Sequence, residues 1–174
     1  MDKVILVDPE DNTIGEMEKL EAHQKGLLHR AFSILVFNSK GEMLLQKRAQ
    51  SKYHSGGLWT NACCSHPVSS DNILETARQR LYYEMGIDVL PSFMYKFTYQ
   101  TLLDKNLIEH EVDYVYTAVF DGIPQANPAE VEDWKFIDLG ALQAEVINTP
   151  HLFTSWFKLI INHQEFQDSF VISK

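Results

Sequence analysis

The sequence lacks the features that mark secreted and membrane-spanning proteins. It has only two cysteines, the adjacent Cys63 and Cys64, which excludes a disulfide framework and predicts reduced thiols in the cytoplasm. Its apolar runs, such as Ala31–Phe37, are far shorter than the roughly 20 residues of a membrane-spanning helix. The start at Met1 has no basic-then-apolar signal pattern. We therefore expect a cytoplasmic protein without a membrane partner.

Basic residues are also scarce. The chain of 174 residues has 15 Lys and Arg against 24 Asp and Glu, a net charge of −9, which disfavours nucleic acid as a partner. No internal repeat or linker divides it, and a composition of 45% hydrophobic and 22% charged residues suits one globular core. We predict a single domain over residues 1–174, whose oligomeric state the sequence leaves open.

Strand patterns alternate with helical ones, which predicts an α/β (α+β) fold with a mixed sheet. A short helix is expected over Glu16–Gln24, and a central helix over Asn72–Met85 that Gly86 ends. Thr149 and Pro150 are expected to cap a terminal helix. The predicted strands are Lys3–Val7, Ala31–Phe37, Glu42–Lys47, Phe93–Leu102, Leu107–Phe120 and Trp134–Ile137.

A thiol and an imidazole lie two residues apart in the segment Trp-Thr-Asn-Ala-Cys-Cys-Ser-His-Pro, which starts at residue 59. Residues i and i+2 of an extended chain share a face, so Cys64 and His66 are expected to face one space and Cys63 the opposite side. A small buried thiol beside an unrelated histidine explains the segment about equally well.

Two carboxylates, Glu109 and Glu111, share a face of a predicted strand, while His110 faces the other side. Such a pair repels unless a cation or a proton lies between the two groups. With His23, His29 and His66 the pair would form a site of three imidazoles and two carboxylates, which suits Zn²⁺ or Mn²⁺ better than Ca²⁺. Spacing alone favours the alternative of a solvated edge strand and unrelated histidines.

A basic cluster interrupts the acidic average at Lys47, Arg48 and Lys52. Clustered cations that stay unpaired usually bind an anion, and together with Lys19 and Arg80 they could hold a diphosphate. A solvated strand end with scattered charges is the equally simple alternative.

These residues together resemble the type 1 isopentenyl-diphosphate isomerases of the Nudix superfamily, over nearly the whole chain. The resemblance rests on their order along the chain and implies the Nudix fold, a mixed sheet sandwiched between helices, with Asn72–Met85 as the Nudix helix. The hydrolase form of the Nudix box needs several acids on that helix, of which only Glu84 is present. The aligned box positions are Ser65, Asp71, Gln79, Arg80, Tyr83 and Glu84.

The resemblance also implies a role for each matching residue. One divalent metal, Mn, Zn or Mg, is expected on His23, His29, His66, Glu109 and Glu111. A Mg²⁺ ion bound with the substrate diphosphate is expected on Glu84. The implied catalytic residues are Cys64, Glu111, Tyr99 and Trp156, and the implied diphosphate contacts are Lys19, Arg48, Lys52 and Arg80.

The implied reaction converts isopentenyl diphosphate, a small-molecule substrate, reversibly into dimethylallyl diphosphate. One group protonates the alkene and another removes an allylic proton. Trp156 faces the carbocation that forms between the two steps, and this cation–π interaction is worth on the order of 2 kcal/mol when it is desolvated. Glu111 is the expected proton donor and Cys64 the expected base, although the sequence does not settle this order. Cys64 needs neighbouring cations to become a thiolate, because a free thiol has a pKa near 8.5.

Two other function classes stay open at this point. A Nudix diphosphohydrolase needs a fuller set of acids on the helix than this chain has, because those acids hold metal and activate water. A non-catalytic metal- or diphosphate-binding protein explains the histidines and the basic cluster but gives Cys64 no role. The product that forms from isopentenyl diphosphate in deuterated water distinguishes the isomerase, the hydrolase and the binding protein.

Overall fold

The fold is described from a computed structural model, which covers residues 3–67 and 72–170. Its strands are β1 (Lys3–Val7), β2 (Thr13–Glu18), β3 (His29–Phe37), β4 (Met43–Arg48), β5 (Trp59–Asn61), β6 (Cys63–Ser65), β7 (Ser92–Leu102), β8 (Ile108–Val119) and β9 (Val131–Ile137). Its helices are α1 (Lys19–Lys25), α2 (Ile73–Met85), α3 (Leu139–Asn148), α4 (Ser155–Asn162) and α5 (Gln164–Ser169). Short 3₁₀ helices span Asp104–Asn106 and Pro150–Leu152.

The sheet is mixed and centred on β3. That strand pairs antiparallel with β1, β4 and β6, and parallel with β8 along its whole length from His29 to Phe37. The predicted strands are present, and the pairing joins distant parts of the chain: β8 also pairs with β7, and β9 pairs with β4. The predicted mixed sheet is therefore confirmed.

Side chains of β3 alternate between two cores. Leu35 and Phe37 pack with residues of α3, α4 and α5, whereas Ile34 and Val36 pack with residues of α2. An unbroken run of buried residues on β3 is typical of a strand that is covered on both faces. The sheet therefore lies between helices, as predicted.

The central helix α2 begins and ends where the sequence predicts. Asn72 caps it, with its side chain accepting a hydrogen bond from the amide of Glu75. Gly86 ends it with φ +66°, and a Cβ at this position would lie 2.7 Å from the Cβ of Gln125. Both the backbone angle and the close approach require glycine here.

Two sequence expectations about helices are wrong. Residues 16–18 are not helical, because Glu16 and Glu18 pair with β1, and α1 begins only at Lys19. Thr149 and Pro150 do not start the terminal helix, because Thr149 follows α3 and Pro150 opens a 3₁₀ turn. The N-cap residue of α4 is Thr154.

No helix in the described ranges, residues 3–67 and 72–170, combines the length and apolar character that crossing a membrane requires.

Candidate active site

A cleft with about 600 Å³ of empty space, partly open to solvent, runs along the face of the sheet that carries Glu109 and Glu111. Its walls come from α1, β3, β4, β6, α2, β7, β8, α4 and the loop after β4. The predicted site residues that line it are Lys19, Arg48, Lys52, Cys64, His66, Arg80, Glu84, Tyr99, Glu109, Glu111 and Trp156. His23 and His29 are fully buried beside His66, with ring centroids 5.5 and 5.1 Å from its ring.

Four of the five predicted metal ligands form one group. His23, His29, His66 and Glu111 each offer a donor atom, and these atoms lie within 4.8 Å of one another. Strand pairing explains why His29 and Glu111 lie together, because His29 on β3 is the register partner of Glu111 on β8. His23 joins them from α1, and His66 follows directly after β6.

Two of the histidines are oriented as metal ligands. The Nδ1 of His23 lies 2.7 Å from the carbonyl oxygen of Lys19, and the Nδ1 of His29 lies 2.7 Å from that of Leu27. A carbonyl only accepts hydrogen bonds, so each Nδ1 carries the proton and each Nε2 presents a lone pair. Within the described residues both Nε2 atoms are buried without a hydrogen-bond partner. This group can therefore hold a metal ion.

The fifth predicted ligand, Glu109, forms a second group with His23 and His54. Burial and the neighbouring charge of Glu111 raise the pKa of Glu109 well above its usual range. Burial acts on Glu111 in the same sense, but the neighbouring imidazoles of His29 and His66 outweigh it and hold the pKa of Glu111 well below its usual range. Their surroundings thus favour the neutral form of Glu109 and the ionised form of Glu111, which weakens the repulsion that the sequence anticipates.

The adjacent cysteines face opposite sides of the sheet, as predicted. Cys64 lines the cleft, whereas Cys63 is fully buried in the core under α2. Burial raises the pKa of Cys64 to about 12, and the nearby Arg48 lowers it too little to compensate. These surroundings favour the neutral thiol, and Arg48 is the neighbouring cation that acts in the direction of the thiolate.

Two aromatic side chains complete the inner wall of the cleft. The hydroxyl of Tyr99 donates a 2.6 Å hydrogen bond to Glu111 and lies 3.3 Å from Glu109. Trp156, on α4, is 3% exposed, and the guanidinium carbon of Arg48 lies 5.2 Å from its ring centroid. Trp156 thus already holds a cation against its π face.

The basic cluster divides between two places. Arg48 and Lys52 line the cleft with Lys19 and Arg80, whereas Lys47 is not among the lining residues and forms a 3.1 Å ion pair with Glu132. Successive residues of β4 face opposite sides of the sheet, which separates Lys47 from Arg48.

The cleft cations are also less free than the sequence analysis assumes. Lys52 forms a close ion pair with Glu130, and Arg80 forms one of 2.6 Å with Glu84 and one of 3.6 Å with Glu130. The expectation of unpaired cations is therefore wrong for Lys52 and Arg80. Any diphosphate that binds here competes with these carboxylates.

Sequence reasoning missed His54 and Glu130, among other residues of the cleft region. His54 lines the cleft and lies two residues after Lys52, so its place in the basic segment was a usable signal. Glu130 lies 78 residues from Lys52 and carries no local signal of its role. Among the Nudix box positions, Ser65, Arg80 and Glu84 line the cleft, and Asp71 lies outside the described residues.

Known proteins have similar sequences. The NUDIX domain model matches residues 27–157. Isopentenyl-diphosphate Delta-isomerase 2 of Photorhabdus laumondii is 49% identical over 169 residues, 97% of this chain and 96% of its own length. The isopentenyl-diphosphate Delta-isomerase of Pectobacterium atrosepticum is 48% identical over 157 residues, 90% of this chain and 88% of its own length.

The chain belongs to the isopentenyl-diphosphate Delta-isomerase family of NUDIX-domain proteins. Solved structures agree on the fold: the crystal structure of DR0079 from Deinococcus radiodurans matches with a TM-score of 0.72 at 16% identity, over 91% of this chain and 97% of that one. At that identity the likeness concerns the Nudix fold alone. Isomerase family membership rests instead on the sequence relatives and is the outcome that the sequence resemblance predicts.

Proposed function

We propose that this chain is an isopentenyl-diphosphate Delta-isomerase, which converts isopentenyl diphosphate into dimethylallyl diphosphate in isoprenoid biosynthesis. The observation that carries the proposal is the meeting of Cys64 and Glu111 in one cleft that also contains four cationic side chains and Trp156. Moving a double bond by one position requires one group that gives a proton and another that takes one. The printed names of the relatives agree with this activity.

Lys19, Arg48, Lys52 and Arg80 hold the diphosphate in this proposal. Arg48 and Arg80 offer planar forks of N–H donors, while the lysines act as point charges. Glu84 is the proposed ligand of a Mg²⁺ ion that arrives with the diphosphate, since Mg²⁺ in proteins commonly binds through one or two carboxylates and phosphate oxygens. Its present partner Arg80 would then turn toward the phosphate.

His23, His29, His66, Glu109 and Glu111 are the proposed ligands of one divalent ion, Mn²⁺, Zn²⁺ or Mg²⁺. The buried, lone-pair-bearing Nε2 atoms of His23 and His29 support this set. When bound, the ion supplies the positive charge that lets both carboxylates ionise side by side. Tyr99 keeps Glu111 in a fixed orientation by donating a hydrogen bond to one of its oxygens.

We propose Cys64 as the proton donor in the forward direction and Glu111 as the acceptor, the reverse of the order expected from the sequence, because burial favours the S–H form of Cys64 and the imidazoles beside Glu111 favour its carboxylate. The Cys64 S–H gives its proton to the terminal alkene carbon, whose π electrons form the new C–H bond and leave a tertiary carbocation. Glu111 then removes the allylic proton, and the electrons of that C–H bond form the new double bond. Exchange with solvent resets both groups, and in the reverse reaction their roles are exchanged.

Trp156 is the proposed partner of the carbocation. Its π face already lies against the guanidinium of Arg48, so the ring is oriented to stabilise a positive charge in the cleft. Its near-complete burial keeps water, which would quench the cation, away from the ring. A core aromatic on α4 would occupy the same position, and the two roles are compatible.

The competing functions explain less of the cleft. For a diphosphohydrolase, α2 offers only Glu84 of the acids in the hydrolase box, and this side chain is tied to Arg80 and Gln46. A non-catalytic binding protein leaves unexplained why Cys64 faces the cleft beside cations and carboxylates. The predictions of one domain over residues 1–174 and of a cytoplasmic location stay predictions.

The test is incubation of the protein with isopentenyl diphosphate in deuterated water, followed by NMR. Allylic product that carries deuterium is expected. Released phosphate would indicate the hydrolase, and unchanged substrate would indicate the binding protein.

Chelation should abolish turnover and added divalent metal should restore it, because Glu109 and Glu111 need the ion to ionise together. Full turnover by a verified metal-free sample would contradict the metal site.

A further inference from the structure

His54 is a buried imidazole of the cleft for which the proposed function has no use. It is 5% exposed and lies in the loop between β4 and β5, away from the five proposed ligands in sequence. Histidine is buried at this level less often than aliphatic residues, and it needs polar partners when it is. The surroundings of its ring therefore indicate its role.

The ring of His54 faces the proposed metal centre. It is stacked on His23 with centroids 6.1 Å apart and planes 29° apart. One donor atom each from His54, His23 and Glu109 lies within 4.8 Å of the other two, as in the four-donor group around Glu111. The two groups share His23, so His54 and Glu109 lie next to the four-donor group.

The ring is also held in place as the other ligand histidines are. Its Nδ1 lies 3.2 Å from the hydroxyl of Ser55, which leaves Nε2 as the nitrogen that can bind a metal ion. Its edge packs against Tyr53 and Trp156, at centroid distances of 4.3 and 5.8 Å. Arg48 donates a hydrogen bond to the His54 carbonyl, so the backbone is fixed as well. A ligand that is fixed before the ion arrives loses little entropy on binding.

We propose that His54 is a sixth protein ligand of the metal centre, which then has four imidazoles and two carboxylates. The inference rests on the proposed metal site and adds one residue to it. Six mixed nitrogen and oxygen donors suit an ion of octahedral preference rather than the tetrahedral coordination usual for structural Zn²⁺.

A filled coordination shell has a chemical consequence. Catalytic metal sites keep an open position for water or substrate, and six protein donors leave none. The ion in this chain would therefore act on the substrate through Glu111, which it orients and keeps ionised. The diphosphate would depend on the separate cations and on Glu84.

A simpler role for His54 must be distinguished from this one. As an outer partner that only hydrogen-bonds to Glu109, it would also change metal affinity, since outer-shell substitutions typically cost 10- to 100-fold. Affinity alone therefore cannot decide, and the ligating imidazoles have to be counted.

The experiment loads the full chain, with ¹⁵N-labelled histidine, with ¹¹³Cd²⁺ and counts ring nitrogens that show scalar coupling to the metal by NMR. Four coupled imidazoles are expected in the wild type and three in His54→Gln and His54→Ala, with cadmium affinity at least tenfold weaker. His151→Ala, at an exposed histidine outside the cleft, should keep four. The wild-type count needs no variant and so does not depend on any variant folding.

If the wild type shows three coupled imidazoles and the ring nitrogens of His54 show no coupling to cadmium, the inference is overturned and the proposed metal site stays intact. The variant His29→Ala tests that site separately, since it should lose one coupled nitrogen and most of the affinity. If His29→Ala binds cadmium as the wild type does, the metal site itself is wrong, and the inference about His54 is wrong with it.

Discussion

Tyr99 and Glu111 are direct cross-strand partners of β7 and β8, and the tyrosine hydroxyl donates a 2.6 Å hydrogen bond to the carboxylate. Burial, first, and the charges of Glu109 and Glu111 raise the pKa of Tyr99 well above its usual range. The hydroxyl is therefore a permanent donor at neutral pH. It fixes one oxygen of the carboxylate that we propose takes the allylic proton.

Tyr99→Phe should lower kcat by about 10- to 100-fold, because a hydrogen bond to a charged group is worth about 1.5–3 kcal/mol. KM should change little, since the hydroxyl touches no proposed diphosphate contact. Steady-state kinetics with isopentenyl diphosphate measures both constants. Tyr95→Phe is the matched control: Tyr95 lies on the same strand and donates to the carbonyl of Ile160, outside the cleft. Equal losses of kcat in the two variants would contradict the role of Tyr99.

The two cysteines should respond differently to the same substitution. Cys64→Ala removes the proposed proton donor, so turnover should fall by roughly 10²–10⁴-fold while substrate still binds. Cys63→Ala should keep turnover and lose about 1 kcal/mol of stability, because it leaves a small gap in the core under α2. Turnover, substrate affinity and urea unfolding report the three effects. A Cys64→Ala protein of near-normal turnover would remove the thiol from the mechanism.

Glu84→Gln should separate the two metals of the proposal. The substitution removes the proposed Mg²⁺ ligand and the 2.6 Å ion pair with Arg80, so KM should rise roughly tenfold and the need for Mg²⁺ should increase. The metal in the histidine site should stay bound, as elemental analysis would reveal. Glu75→Gln, at a half-exposed position of the same helix, is the control. Loss of the tightly held metal from Glu84→Gln would mean that Glu84 belongs to the other site.

Asp11 connects the loop between β1 and β2 to the sheet and should make stability depend on pH. Its nearly buried carboxylate accepts hydrogen bonds from Arg30, Lys96 and Tyr114. Burial would raise the pKa of Asp11, but these bonds outweigh it and hold the pKa below 3.8. A depressed pKa means that the stabilisation is present above pH 3.8 and is lost as the pH falls through the lowered value.

Asp11→Asn should therefore cost about 2 kcal/mol at neutral pH and progressively less below pH 3.8. Asparagine tolerates the left-handed backbone at this position, where φ is +68°, so the substitution tests charge and not strain. Urea unfolding at several pH values measures the difference from wild type. Glu10→Gln, an exposed neighbour, should show no such dependence. A destabilisation that stays constant down to acid pH would exclude the charge as its cause.

The sequence predicts the parts of the site that depend on local periodicity. Alternation along a strand is enough to separate Cys63 from Cys64 and to place Glu109 and Glu111 on one face, because the side-chain period is two wherever the chain is extended. The limits of α2 are equally local, since Asn72 and Gly86 are capping residues. The resemblance to a family supplies the roles of these residues, which periodicity does not.

Local patterns could not predict what depends on long-range packing. The ion pair of Lys52 with Glu130 and the raised pKa of the Cys64 thiol arise from packing between distant segments. The sequence predicts a helix cap at Thr149 and Pro150 and no α3, because a Thr-Pro pair is compatible with either the end of one helix or the start of the next. His54 was missed because only the folded loop brings it to His23.

The register of β8 against β3 determines where the chain can accept insertions and deletions during evolution. Glu109 and Glu111 line the cleft, while the intervening His110 bonds the carbonyl of Gly26 on the other side. Insertion or deletion of one residue within β8 would move the carboxylates to that other side and would destroy the metal group in a single step. The turn at residues 103–107 bears none of the proposed ligands, so length variation among descendants of this chain should accumulate there and spare the strand.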